Sequence, residues 1–523
     1  MSERKTIAKR IFAAAVAGAL TLSFAMSGCA IFQTGETSDG ESKPSQGSGS
    51  SEKALDGAAV SSENFSMSLP IMEYLFNYNY LQYAQYAVYY YGLDQTKPLT
   101  EQYYDEQNGV TWYDYFMDMT KTYARQLLVL AEAAHADGLE LDETDLANVE
   151  SSLLSMEETA KQQGKTLDEY IASNFSAGVT KADVEECLKL TALAQKYYDK
   201  TYNGFEYTDE EYEDYYKEHA TDYQYADFLK FSFSFADSEG NPDDALKTAA
   251  KKSADELQAC KTVEEFQTYI RTYLTKHKES PEAAIRTANA DAEITEDSLR
   301  EEVEKEVTAA LSTGYAYEVS SDAGQWVFAS DRKELDTNSF ENSDSYTVIM
   351  IVKTAYRNES IYKNVRHILF TTDADSTDDA AKTQAEKTAK EQADKVYQEW
   401  KDGDATEDSF AELAGVYSQD PGSASKGGLY ENVYEGQMVP EFNDWVFDPD
   451  RKVGDTGIVK TSYGYHIMYF SGNSKPAWKV SVDTVLRRSA FDEHYQELSE
   501  KYTVEFNDEL LAHIEVNEKT DTE

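Results

Sequence analysis

VRHILF (residues 365–370) and YGYHIMYF (residues 463–470) decide the reading of this chain. Each is a short apolar run rich in β-branched and aromatic side chains, the composition of a strand. Each carries one histidine, His367 in the first and His466 in the second. Between them lie FAELAGVYSQDPGSASKGG (410–428) and GQMVPEF (436–442). The first of these opens with helical spacing and ends in a Gly-rich loop, and its Asp-Pro-Gly is a strong turn sequence. Two strands that each present a histidine, separated by a helix and a loop, describe a compact α+β domain with a polar group buried in its sheet.

These motifs resemble the parvulin-type peptidyl-prolyl cis/trans isomerases. The resemblance implies a small antiparallel sheet with surrounding helices, and action on X-Pro bonds of other proteins. It places His367 and His466 as a facing pair at the floor of the site. It places Asp420, in YSQDPGS, where some members carry Cys and others Asp. Met438 and Phe442 match the proline pocket, and Thr461 and Tyr463 fall where members keep polar groups near the bound carbonyl. This chain reads Gly427-Gly428-Leu429-Tyr430 where many members read Gly-Asp-Leu-Gly, so either Leu429 or Tyr430 takes the place of the usual pocket Leu. Such chemistry needs no nucleophile, metal or cofactor. The loop after His367, residues 371–379, holds four acids and no Lys or Arg, so no cationic clamp for phosphorylated substrates is expected there.

An internal repeat lies upstream. WVFASDRK (326–333) recurs as WVFDPDRK (445–452), and an Asp-Thr follows each at the same distance. Residues 223–357 therefore read as a second, degenerate parvulin-like domain. It has no histidine in its first or last strand and no Gly-Gln-Met-x-Pro-x-Phe segment, so it is expected to lack isomerase activity.

The remaining chain divides by composition. Residues 1–28 have basic Arg4, Lys5, Lys9 and Arg10, then an uncharged apolar run too short for a good membrane span, as a signal peptide does. Met26-Ser27-Gly28-Cys29 resembles a bacterial lipobox, which implies lipidation of Cys29, a lipid anchor in the cell membrane, and an extracytoplasmic location; an ordinary secretory signal is the alternative. Residues 29–62 are rich in Gly, Ser and acids and read as a disordered tether. Residues 63–222 read as mostly helix: in residues 112–130, Phe116, Met119, Tyr123, Leu127 and Leu130 recur at helical spacing, and Thr180 and Thr208 stand as N-caps with acids three residues on. This part is similar to the helical chaperone domain of the PrsA and SurA class of foldases. Residues 474–523 read as a strand at 480–485 followed by a helix at 489–502.

With 97 acids against 48 bases, the formal charge of −49 excludes nucleic acid, whose phosphates this surface would repel. Cys187 and Cys260 lie far apart and read as free thiols, and no cysteine cluster has metal-ligand spacing. The partners implied are unfolded or newly exported proteins with X-Pro bonds. The leading expectation is a lipid-anchored isomerase and foldase; the alternative is a client-holding chaperone lipoprotein with weak or no isomerase activity. An adhesin or solute-binding lipoprotein finds no supporting motif.

Overall fold

The computed structural model describes residues 57–237, 240–290, 292–316, 320–372 and 379–516. The segments read as a signal peptide and a lipobox, with Cys29, and residues 373–378 of the acidic loop lie outside the described residues. The fold is α+β, with a helical N-terminal region and small antiparallel sheets. It divides into two compact units: one takes residues up to 206 and from 486 onward, the other residues 207–485.

The first unit opens with a hairpin, β1 (Ala58–Ser61) and β2 (Ser66–Ser68). It continues with α1 (Leu69–Tyr91), the hairpin β3 (Tyr103–Asp105) and β4 (Val110–Thr111), and four helices. These are α2 (Trp112–Ala136), α3 (Glu143–Gln162), α4 (Leu167–Asn174) and α5 (Lys181–Gly204). Capping boxes start four of them: Thr111 with Asp114, Asp142 with Asp145, Thr166 with Glu169, and Thr180 with Asp183. Each box satisfies two backbone donors that the first turn would otherwise leave open. The tether expected over 29–62 ends sooner, because Ala59 and Val60 are fully buried in β1. Buried Glu132 of α2 fastens the turn that follows, accepting from Ser62 Oγ and Asn64 N, both at 2.6 Å.

In the second unit, α6 (Asp209–Glu218) precedes β5 (Gln224–Ser234), α7 (Asp244–Gln258) and α8 (Val263–Lys276). Next come α9 (Glu279–Ala288), α10 (Glu296–Ala309), β6 (Leu311–Ala316), α11 (Asp322–Val327), β7 (Thr337–Glu341) and β8 (Ser345–Arg357). Then follow β9 (Ile361–Thr371), α12 (Asp379–Asp402), α13 (Glu407–Tyr417), β10 (Leu429–Val433), α14 (Pro440–Val446), β11 (Thr456–Lys460) and β12 (Gly464–Pro476). Helix α6 belongs here and not with the N-terminal helices among which the sequence reading put it. Arg357 holds it, with an ion pair to Glu213 at 2.8 Å and its guanidinium over the rings of Tyr216 and Trp478.

The two four-stranded sheets share one plan. The first has order β6-β5-β8-β7 and the second β10-β9-β12-β11, all neighbours antiparallel. The repeated sequence makes the same contacts in both. Arg332 lies over the Trp326 ring as Arg451 lies over Trp445, and Asp336 and Asp455 each accept a backbone bond from the repeated lysine, Lys333 or Lys452, at 2.9 Å. Gly454 takes a left-handed φ of 86°; the first copy puts Leu335 there at 69°. Matching ladder registers set Lys230 in the place of His367 and Thr347 in the place of His466.

Helix α15 (Ala477–Lys501) begins in the second unit and runs on into the first. The strand expected at 480–485 is therefore helix: the alternation of that stretch suits period two, but its buried Trp478 and Val482 are four apart and share a helix face. After it, β13 (Glu505–Phe506) pairs with β1, and α16 (Asp508–Leu511) closes the first unit. Phe491, Leu498, Leu511 and Ile514 are buried in one core with α1, α2 and α5.

Candidate active site

Strands β9 and β12 bring the two histidines together. In their ladder His367 stands opposite Met468 and His466 opposite Leu369, so the two imidazoles sit diagonally on one face. Their rings stack at 5.2 Å and 22°, with Nδ1 to Nδ1 at 3.0 Å. Both are almost fully buried.

The loop after α13 carries Asp420 to the other edge of His367. Gln419 N donates to Leu369 O at 2.8 Å, and Leu369 N donates to Ser418 Oγ at 3.1 Å, which stitches the loop to β9. Gly428 anchors its far end. His367 N donates to Gly428 O at 2.8 Å, and a Cβ on Gly428 would stand 2.2 Å from His367 O. From the opposite face Arg366 pairs with Glu407 and donates to the carbonyls of Lys426 and Gly427. Asp420 Oδ2 then meets His367 Nε2 at 2.9 Å and accepts from Ser423 Oγ and from Tyr430 Oη, the latter at 2.9 Å.

Proton positions follow from these partners. The carboxylate makes His367 Nε2 a donor, so in the neutral ring Nδ1 accepts from His466 Nδ1. His466 Nε2 then accepts from Thr461 Oγ1 at 2.9 Å, and Thr461 Oγ1 in turn accepts from Tyr463 N at 3.1 Å. One directed chain runs from Thr461 through both histidines to Asp420. Burial would raise the Asp420 carboxyl, but bonds from His367, Ser423 and Tyr430 outweigh it and hold it well below the usual carboxylate range. Burial, with the His367 ring beside it, lowers His466 to about 4. Burial and the Asp420 charge raise the Tyr430 phenol.

Phe442 walls this floor. It stands edge-on to both imidazoles, 5.5 Å and 84° from each, and packs with Met438, Val365, Met468 and Phe470. The open choice between Leu429 and Tyr430 is answered by alternation along β10. Tyr430 pairs with Val365 and shares its face, stacking on His367 at 5.3 Å, while Leu429 pairs with Arg366 on the other face. Thr461 is buried; the Tyr463 side chain is exposed, and only its backbone joins the chain. Ser423, fully buried and bonded to both Asp420 and His367, was not singled out from the sequence; its only signal was a place three residues after Asp420 in a turn. Among the described residues no group of three or more His, Cys, Asp or Glu is placed to hold a metal, and Cys187 and Cys260 are free thiols.

The first sheet keeps the scaffold without the chain. Thr347 accepts from Asn342, as His466 accepts from Thr461, but Lys230 offers no imidazole to continue the relay.

Residues 346–473 match the family model of the PPIC-type PPIASE domain. Foldase protein PrsA 3 of Bacillus cereus is 34% identical over 137 residues, which are 26% of this chain and 45% of that protein. Chaperone SurA of Pseudomonas putida is 30% identical over 138 residues, 25% of this chain and 29% of that protein. The chain thus spans less than half the length of these curated relatives. Among solved structures, that of the peptidylprolyl isomerase PrsA from Bacillus anthracis is 14% identical, covering 50% of this chain and 97% of that one, at a TM-score of 0.18.

Proposed function

Residues 346–473 of this chain are a PPIC-type PPIase domain, and from that premise we propose that the protein is a peptidyl-prolyl cis/trans isomerase and foldase for newly exported proteins, held by a lipid on Cys29 at the outer face of the cell membrane. The observation that carries the catalytic part is the chain from Thr461 through His466 and His367 to Asp420 beneath the Phe442 wall. The amide C–N bond owes its barrier of ~18–20 kcal/mol to resonance that places negative charge on the carbonyl oxygen. A fixed carboxylate beside a dry pocket disfavours that charge and so favours the twisted amide. The buried histidine pair keeps Asp420 in place and ionised. Phe442, Met438 and the Tyr430 ring supply apolar surface for a proline ring.

The test is isomerisation of a Xaa-Pro peptide series by the chain lacking residues 1–29, beside Asp420→Asn. Acceleration that falls at least about tenfold in the variant supports the reading; no acceleration by a folded chain sinks it. For the anchor, palmitate labelling in a bacterial host should be lost in Cys29→Ser.

Client holding without fast turnover is favoured by a separate observation. On the first unit Tyr89 and Tyr90 are 81% and 53% exposed, and they adjoin Tyr86 and Tyr91 in a run of aromatic contacts that continues through Tyr104 to Trp112 and Tyr115. Of these rings Tyr89, Tyr90 and Tyr104 are exposed while Trp112 is buried, and exposed tyrosines on a packed aromatic base suit loose contact with unfolded chains. Client folding that survives Asp420→Asn would favour this reading over catalysis.

A further inference from the structure

The two sheets differ most at one strand edge. In the second sheet, Ser418 and Gln419 cover the edge of β9 beyond His367, bonding Leu369 N, Leu369 O and Thr371 N. In the first sheet the equivalent bond exists at the start: Lys230 N donates to Ala310 O at 2.8 Å, as His367 N does to Gly428 O. The last pair between β5 and β6 is Leu229 with Leu311. Backbone groups alternate sides along a strand, so Ser232 and Ser234 present their N–H and C=O on the same side as Lys230. There, among the described residues, none of these four groups has a partner.

A cleft of about 280 Å3 lies along this edge, lined by Phe231, Ser232, Lys230, Ser312 and Glu306 of α10. The Glu306 carboxyl takes a hydrogen bond from Ser280, but its Oε1 is buried without a partner of its own. A buried unpaired carboxylate oxygen is costly unless a donor reaches it. The cleft thus holds the free backbone N–H and C=O of Ser232, a carboxyl oxygen with no donor, an ammonium and part of an aromatic ring, and the edge runs on to Ser234. That set complements an extended polypeptide, whose amides alternate donors and acceptors and whose side chains need apolar cover. A second copy of this chain fits poorly, since its own Lys230 and Glu306 and a net charge of −49 would meet their likes.

We propose that the open edge of β5 at Ser232–Ser234 receives an extended segment of a non-native polypeptide as an added strand, with Glu306 accepting one of its N–H groups. The first sheet is then a binding copy of the second, freed for that task by the loss of the loop that carries Asp420. The proposal rests on the reading of the protein as one that handles client chains, but does not need the isomerase site.

The experiment uses the chain lacking residues 1–29 and a neutral, proline-free twelve-residue peptide, which leaves the isomerase site without a proline to hold. Backbone amide exchange at Ser232 and Ser234 should slow at least about tenfold on saturation. Ser232→Pro removes one donor on the open side, where proline is tolerated, and should weaken binding about tenfold, while Ser232→Ala leaves it unchanged. Unchanged exchange at both amides on saturation overturns the proposal. So does protection that grows with protein concentration alone, which would mark the edge as a contact between copies. X-Pro isomerisation measured on the same samples separates the two readings: an inactive wild type with peptide-protected amides removes the catalytic reading and keeps this one.

Discussion

Asp420 Oδ2 gathers three neighbours, His367, Ser423 and Tyr430, and the Tyr430 hydroxyl is the one that can be removed without disturbing the ring that stacks on His367. Tyr430→Phe should raise the Asp420 carboxyl pKa, read by carboxyl NMR titration, and lower kcat a few-fold with KM unchanged. In an Asp420→Asn background the same change should have no further effect on kcat; additive losses would show that Tyr430 acts elsewhere. His466 sets a pH dependence. The folded state keeps it neutral down to about 4, whereas the unfolded state takes up its proton near 6.5. Its contribution is complete above pH 6.5 and declines as pH falls toward 4, by about 3 kcal/mol in all. Asp420 has the depressed pKa of a stabilised carboxylate, so its share is lost only further down, below the ordinary carboxylate pKa. Urea unfolding between pH 7 and 4 should show the His466 slope, and His466→Asn should flatten it. At this scale the sequence was most legible. Both histidines and Asp420 stand in recognisable motifs, while Ser423 acts only through a turn whose closure no linear motif encodes.

Among the elements, β10 depends on a glycine. Gly428 has φ +73° and no room for a Cβ against the His367 carbonyl. Gly428→Ala should destabilise the second unit by about 2 kcal/mol or more and abolish isomerisation, measured by denaturant unfolding and by turnover. Helices with capping boxes were readable to within a few residues because the signal is local: Thr180 with Asp183 and Thr208 with Glu211 cap α5 and α6 as their spacing suggests. The start of α15 was not, since Val480 to Val485 alternate as a strand would, and only packing around Trp478 and Val482 decides for helix. Likewise β1 hides inside a Ser- and acid-rich run, because it is only four residues long and, beyond its hairpin with β2, its other partner β13 is more than four hundred residues away.

At the scale of the whole molecule, the first unit is built from both ends of the chain. A chain stopped at Val485 keeps all of the second unit but deprives the first of β13 and of Phe491, Leu498, Leu511 and Ile514. Losses of this size, at ~2–5 kcal/mol for each large side chain, exceed what a domain can spare. Limited proteolysis of that chain should therefore cleave within residues 57–206 while X-Pro turnover persists. The repeat of the two sheets was visible in Trp326 and Trp445; the discontinuity of the first unit was not, because pairing between distant segments leaves no period in a sequence.

That discontinuity imposes an order in time. A polypeptide emerging N-terminus first from a ribosome or a pore releases α1 to α5 early, yet their core stays unsealed until α15 has followed. All of residues 207–485 pass in the interval, and every strand of both four-stranded sheets lies within them. Residues 346–473, which match the PPIC-type PPIASE model, are thus complete before the helical unit matures, so that during its own birth the molecule carries a finished second unit while the first still waits for its last strand and helix.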